Sequence, residues 1–256
     1  MNSNPTYSVV IPVYNEETVL PDLYNRLKPV MEKFPDPYEI IFVNDGSTDN
    51  SQSILEGMAR RDDSIVVVKF SKNFGQHPAM TSGYIESRGE IVISLDSDLQ
   101  NPPEEIPKLI EELNKGYDMV SGRRKDRKDN FFRMAPSKMV NLIISLMTGV
   151  KMQDYGSGLR AFKSDTAKQV AKEFLANRVY LSMLIPAVTK NIKEIEVEHD
   201  ERLSGESKYD LWKLLTTFCR IFLFRGRSSS KGSDHDDSYE TWVESVTRDK
   251  ARWGDI

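Results

Sequence analysis

Only one cysteine, Cys219, and three histidines occur in 256 residues. That scarcity excludes an intramolecular disulfide and any cysteine-rich metal site, and it fits a reducing compartment. No uncharged apolar run approaches the length needed to cross a bilayer. The N-terminus lacks the basic-then-apolar pattern of a secretory signal, so none is expected. Glycine is missing where a dinucleotide fingerprint requires it, because the first strand runs into Pro12-Val13-Tyr14-Asn15-Glu16. No strand is followed by a Walker A lysine loop either. Classical dehydrogenases and P-loop NTPases are therefore disfavoured. Excess positive charge is absent too. With 35 basic and 39 acidic side chains the formal charge is −4, which argues against a general nucleic-acid binder. The chain has no internal repeats.

What is present is ordinary in bulk and informative in pattern. Hydrophobic residues make up 39% and charged residues 29% of the chain, as in a soluble globular protein large enough for one α/β domain and a small appendage. Runs rich in β-branched residues predict strands at 7–13, 38–44 and 64–70, and a fourth beginning at Ile91. Val19, Leu20, Leu23, Leu27 and Val30 recur at helical spacing after the first strand. Asn15 is placed to cap that helix, and Thr48 or Asp49 to cap the next. Strands alternating with helices predict a doubly wound, mostly parallel sheet whose ligands bind beyond the carboxyl ends of its strands.

The fourth strand ends in Asp96-Ser97-Asp98-Leu99-Gln100-Asn101-Pro102-Pro103. Two carboxylates one residue apart, with the Gln100 amide oxygen close by, form a set of hard oxygen donors. Such a set suits Mg2+ or Mn2+ shared with substrate phosphates. Capping of the strand or of the next helix is the bland alternative for an Asp-x-Asp pair.

A helix over 104–115 and a strand over 117–121 follow. From Arg123 to Arg133 there are six basic and two acidic residues. This run reads either as a solvated loop or as a lid over anions. Arg133 and Ser137 stand one helical turn apart at the start of an apolar helix that ends near Gly149. A polar, glycine-rich loop spans 154–160, helices run over 164–190, and a late strand covers 192–198. Beyond a polar loop at 199–209, Trp212, Phe218, Phe222 and Phe224 alternate with Lys213, Arg220, Arg225 and Arg227. That pattern is an amphipathic helix suited to a membrane interface or to packing on the domain or a partner. Residues 228–256 read as a polar, disordered tail with at most a weak helix around Trp242.

Pro12-Val13-Tyr14-Asn15-Glu16-Glu17, Asn44-Asp45-Gly46-Ser47-Thr48-Asp49 and the 96–103 segment, in that order, resemble the family 2 glycosyltransferases of GT-A fold. Ser157-Gly158-Leu159-Arg160 and the segment from Arg202 to Tyr209 resemble one subgroup, the polyprenyl-phosphate sugar transferases. Dolichol-phosphate mannose synthases and bacterial undecaprenyl-phosphate glucosyltransferases belong to it. The likeness covers about residues 6–225. It implies that Asp45 accepts the nucleobase N–H, besides or instead of capping its turn, and that Pro12, Tyr14 and Glu16 line the nucleoside pocket. Asp96 would face the ribose and metal, while Asp98 and Gln100 hold the divalent ion. Arg133, Ser137, Arg202 and Arg123 would contact phosphates, with surface ion pairing as the alternative for each arginine. Asp154 is left as a base, a sugar-hydroxyl ligand or a loop-stabilising group. Glu17 is read as a surface residue, and His77 as a residue bordering the donor pocket.

These expectations amount to a GT-A catalytic domain at 1–208, an amphipathic helix at 209–227 and a polar tail at 228–256. The expected activity is inverting transfer of a sugar from a UDP- or GDP-sugar to undecaprenyl or dolichyl phosphate, at the cytoplasmic membrane face. Transfer to a saccharide hydroxyl, or silent sugar-nucleotide binding, are the alternatives. Many relatives continue into transmembrane segments where this chain turns polar. Either the attachment is peripheral or the anchoring segments are absent from this sequence, and a homo-oligomer or a separate anchor subunit is also compatible with that departure.

Overall fold

Every residue of the first strand, β1 (Tyr7–Val13), is buried, so it needs a covering layer on each face. The computed structural model describes residues 4–124, 145, 149–178, 180–200 and 239–248. Within them, alternate side chains of β1 enter two separate apolar clusters. Val9, Ile11 and Val13 pack with Leu20, Leu23 and Leu27 of α1 (Leu20–Met31), Leu55 of α2 (Ser51–Arg61) and Ile106 and Leu109 of α4 (Ile106–Leu113). Val10, one residue out of phase, packs with Ala79, Met80 and Tyr84 of α3 (Gln76–Glu86) and with Val170 and Phe174 of α5 (Ser164–Asn177). A third helix on that face is α6 (Leu181–Val188). Each wholly buried leucine of α1 stabilises the fold by roughly 2 kcal/mol relative to an exposed one. The result is a sheet between two helical layers.

The other strands are β2 (Tyr38–Asn44), β3 (Ile65–Phe70), β4 (Ile91–Ser94), β5 (Met119–Arg124), β6 (Arg160–Lys163), β7 (Ile192–Val197) and β8 (Val243–Val246). Their order is β7-β5-β6-β4-β1-β2-β3-β8. β1 runs parallel to β2 with Val13 opposite Asn44, and parallel to β4 with Val10 opposite Ser94. The chain leaves β3 through α3 and returns on the far side of β1. That reversal opens a crevice at the carboxyl ends of β1 and β4, where doubly wound folds bind ligands.

Three features differ from expectation. Arg160, expected in the 154–160 loop, and the unassigned residues 161–163 form β6 (Arg160–Lys163), antiparallel to both β4 and β5. The strand expected to end at Ser121 runs on to Arg124, because residues 122–124 pair with Ile195–Val197 of β7. The tail, expected to be disordered apart from a weak helix around Trp242, contributes the short helix α7 (Tyr239–Trp242) and also β8. β8 lies antiparallel to β3 and covers what would otherwise be an open sheet edge. Trp242, 1% exposed, supplies the apolar anchor. The 209–227 helix, and the domain boundary before it, lie outside the described residues. Among the described residues no helix is long and apolar enough to cross a membrane.

Candidate donor site at the sheet switch point

Strand ends come first, because they fix where the functional side chains emerge. At the end of β1, Asn15 adopts a left-handed φ of 57°. It does not cap α1, which begins five residues on at Leu20. Its Oδ1 instead accepts the Thr48 N–H at 2.8 Å, and its own N–H donates to Ser47 Oγ at 3.0 Å. Glu17, expected merely at the surface, accepts the Asn50 N–H at 2.9 Å and its amide at 2.8 Å. Asp49 accepts the Ser51 N–H at 3.0 Å in the first turn of α2. The loops after β1 and β2 are thereby stitched into one wall. Pro12 is buried in β1, Tyr14 stands 42% exposed at its end, and the Glu16 N–H donates to Ser51 Oγ.

Asp45, at the end of β2, is buried, and its carboxylate reaches across to the loop after β3. It accepts the Phe74 N–H at 2.7 Å and the Gly75 N–H at 2.9 Å. Gly46 beside it has φ 66°, and a Cβ there would lie 2.3 Å from the Lys72 carbonyl carbon. Only glycine satisfies both the turn and the close approach. Burial pushes the Asp45 carboxyl up to about 6, against the pull of the two N–H donors.

The next residue along the loop makes the second link. Gln76 Nε2 donates to Asp96 Oδ1 at 2.8 Å, so Gly75 and Gln76 join the carboxylates of β2 and β4 through consecutive positions. Burial, then repulsion from Asp98, pushes Asp96 up to about 6, while Arg160, Arg124 and Gln76 pull it down. Asp98 Oδ1 accepts the Gln100 N–H at 3.1 Å. Between them Leu99 holds φ 59°, unusual for a branched side chain. Its side chain, 2% exposed in the core, supports that turn. The Gln100 carbonyl accepts the Asp200 N–H at 2.9 Å, which brings the chain beyond β7 to the same turn.

The 154–158 loop closes the other side. A Cβ on Gly158 would sit 1.8 Å from Asp96 Oδ2, so this backbone lies directly against the carboxylate. Asp154 forms a two-pronged pair with Arg124, with Nε to Oδ2 at 2.7 Å and Nη2 to Oδ1 at 3.0 Å. Its N–H, like that of Gln153, donates to the Glu194 carboxylate. Arg160, 7% exposed, donates to the Tyr155 carbonyl at 2.7 Å and to Ser182 Oγ at 3.3 Å. Burial lowers its pKa, opposed by Tyr84, Asp154, Asp96 and Glu194.

The structure therefore brings Asp45, Asp96, Asp98, Gln100 and Asp154 to one rim. Arg123 pairs with Gln153 and with Glu196 of β7, apart from the direct Asp96 linkage. Arg133, Ser137 and Arg202 lie outside the described residues. His77 packs its ring against Tyr180, 4.8 Å away, and Phe174, 6.3 Å away. Arg124, Gln76 and Glu194 are contributors that the sequence did not reveal. Among the described residues no three acidic, histidine or cysteine side chains form a ready-made metal cage. Two carboxylates and an amide still fit Mg2+ or Mn2+, which draw their remaining ligands from water and substrate phosphates. The repulsion that Asp98 exerts on Asp96 is what such a cation offsets.

The Asp45 shift gives a pH prediction. Its folded value exceeds the ordinary 3.8, so its contribution is complete below about 4 and is lost as pH rises through about 6. His77, pushed down to about 4 by burial and then by Arg160, acts in the opposite sense. Its contribution is present above about 6.5 and is lost as pH falls toward 4. Comparing wild type with Asp45→Asn cancels the histidine. The wild-type unfolding midpoint minus that of Asp45→Asn should be larger near pH 4.5 than near pH 7.5, by about 2 °C or more. An equal gap would show that Asp45 is not titrating as its burial requires.

A family model described as glycosyl transferase family 2 matches residues 8–178. The undecaprenyl-phosphate 4-deoxy-4-formamido-L-arabinose transferase of Pseudomonas aeruginosa (strain LESB58) is 45% identical over 212 residues, covering 81% of this chain and 61% of that protein. The transferase of the same name from Shewanella sediminis (strain HAW-EB3) is 42% identical over 209 residues, covering 81% and 63%. The chain thus spans a little over three-fifths of the length of these curated relatives. Among solved structures, glucosyl-3-phosphoglycerate synthase from Mycobacterium tuberculosis, in complex with Mn2+, UDP-glucose and phosphoglyceric acid, aligns with a TM-score of 0.60 at 17% identity, covering 88% of this chain and 81% of that one. That likeness is one of fold, and it is the GT-A fold expected above. With a family model that matches well over half of its length, the chain belongs to glycosyl transferase family 2.

Proposed function

We propose that the chain transfers a sugar from a nucleotide diphosphate donor to a polyprenyl phosphate, with inversion at the anomeric carbon. The observation that carries this reading is the linked set Asp45, Asp96, Asp98 and Gln100 at the carboxyl ends of β2 and β4. The relatives' names support undecaprenyl phosphate as acceptor and 4-deoxy-4-formamido-L-arabinose as the sugar. In the reaction, an acceptor phosphate oxygen attacks the anomeric carbon, and the bond from that carbon to the nucleoside diphosphate breaks. The lipid phosphate is already anionic at neutral pH, so no strong base is required. The two-pronged Asp154–Arg124 pair agrees with this, because an aspartate held that way serves as a fixed structural charge.

Asp98 and Gln100, with Asp96 beside them, would hold Mg2+ or Mn2+. When bound, that ion supplies Lewis-acid stabilisation to the departing diphosphate. Asp45 fixes the 71–75 loop at the base-binding end, and Tyr14 and Glu16 stand on the facing wall. Arg133, Ser137 and Arg202 are proposed to take the acceptor phosphate. The Asp200 contact with Gln100 supports that role for Arg202, two residues on. Membrane attachment at the cytoplasmic face is assigned to residues 209–227, to anchoring segments absent from this sequence or to a separate anchor subunit.

The test is incubation with labelled UDP- and GDP-sugars, Mn2+ or Mg2+, and undecaprenyl or dolichyl phosphate, followed by organic extraction. Label in the lipid phase is the expected result. Release of nucleotide only with a saccharide acceptor would overturn the acceptor assignment. No turnover with any pair would overturn the enzymatic reading.

A further inference from the structure

We propose that Trp242, in the strap formed by α7 and β8, is a positioning residue for the nucleotide end of the donor site; this rests on the donor-site reading above. The loop that receives the Asp45 carboxylate is held from two sides. On the inner side, Asp45 accepts from Phe74 and Gly75, and the backbone at Lys72 and Asn73 lies against Gly46. On the outer side stands the strap. The Ser71 N–H donates to the Trp242 carbonyl at 3.0 Å. The Trp242 ring lies 6.0 Å from Phe74 and 6.2 Å from Phe70, and the Phe70 and Phe74 rings meet edge to face at 5.8 Å. Arg178 stands over the indole, 4.5 Å from its centroid. Trp242 is 1% exposed, so these contacts form a packed wedge.

The wedge sits where small movements matter. Phe74 and Gly75 donate to Asp45, and Gln76 donates to Asp96. A shift in the loop therefore reaches both carboxylates at once. The two ends of the strap are anchored separately, by Arg248 on Glu39 and Glu86 and by Tyr239 on Glu86. Trp242 is the strap residue that touches the donor loop through both its carbonyl and its ring. Loss of that wedge frees the outer side of the loop while leaving both anchors and β8 in place. The consequence is weaker nucleotide binding rather than a slower chemical step.

The experiment compares the full chain with Trp242→Leu, which keeps an apolar filler, and Trp242→Phe, which keeps a ring. Binding of UDP and of GDP, each with Mn2+, is titrated calorimetrically well below the unfolding midpoint. Amide exchange is followed at Phe74 and Gly75. The expected result for Trp242→Leu is about tenfold weaker binding of the preferred nucleotide, within the usual range of coupling between linked sites. Exchange should be faster at Phe74 and Gly75, with little change at Val66–Val68 inside β3. The donor KM should rise more than kcat falls, and Trp242→Phe should restore most of both. Should Trp242→Leu fail to fold, Phe74→Leu removes the same ring contact from the loop side and is expected to weaken binding equally. A lowered midpoint with unchanged affinity and unchanged exchange at Phe74 and Gly75 would overturn the proposal, leaving the strap purely structural. A wild-type chain that binds neither nucleotide overturns the donor-site reading itself, and this inference with it.

Discussion

Asp98→Asn should lower turnover on the order of 10³-fold while leaving the metal-free fold as stable as wild type or slightly more so. The two effects have one physical origin. Asp98 raises the Asp96 carboxyl by repulsion, and both sit on the same short turn after β4. Asparagine keeps an Oδ1 to accept the Gln100 N–H at the 3.1 Å contact. The turn, with Leu99 at φ 59°, therefore survives. What disappears is one negative charge. Asp96 then titrates closer to the ordinary carboxylate value, and the cost of keeping it ionised at neutral pH falls. A gain of about 2 °C in the metal-free unfolding midpoint is expected. The added stabilisation that Mn2+ gives wild type should be largely lost. A site built for a cation trades stability for function in this way. Retained turnover in Asp98→Asn would sink the metal–diphosphate reading. A fall in stability as large as the fall in activity would assign Asp98 a folding role instead.

The parts of the fold that were legible share a cause. β1, β2 and β3 are six- or seven-residue runs whose every second side chain enters the same cluster, so periodicity and β-branching reveal them locally. β6 is four residues, Arg160-Ala161-Phe162-Lys163, with a cation at each end. Its strand character comes from β4 and β5 on either side, and no local pattern carries that. The tail is a similar case. Trp242 meets Phe70 and Phe174, partners far away in sequence, and composition reports only the polar residues around it.

The site was legible to a comparable depth. Asp45, Asp96 and Asp98 could be placed because each ends a readable strand. Arg124 could not, since it lies in a run with six basic residues among eleven positions. Nothing local says which of them continues β5 and which leaves it. Pairing with β7 selects Arg124 for Asp154 and sends Arg123 to Glu196. The Asn15 side chain looked like a helix cap because the glutamates after it suit a first turn. The neighbouring Thr48 N–H wins instead, because parallel pairing of β1 and β2 brings the two loops together.

Gly158→Ala isolates the closest contact in the site. Gly158 has no left-handed φ, so alanine fits its backbone, and the cost arises from what the methyl group meets. An ideal Cβ would lie 1.8 Å from Asp96 Oδ2 and 2.2 Å from its Cγ, far inside contact distance. Either the 154–158 loop lifts or Asp96 turns away, and the Ser94 Oγ bond to the Gly158 carbonyl at 2.9 Å resists the first. Displacing Asp96 by about 1 Å is expected to lower turnover on the order of 10²-fold, as misplacement of that size does elsewhere. Overpacking should also destabilise the fold by about 1–3 kcal/mol. The decisive measurement is a double-mutant cycle with Asp96→Ala. Once the carboxylate is gone, the added methyl has room, so Gly158→Ala should cost well under half of what it costs in the wild-type background. Equal costs in the two backgrounds would mean that the methyl strains something other than Asp96. The glycine would then belong to the loop, and the carboxylate would be held in place by Gln76 and its charged neighbours alone.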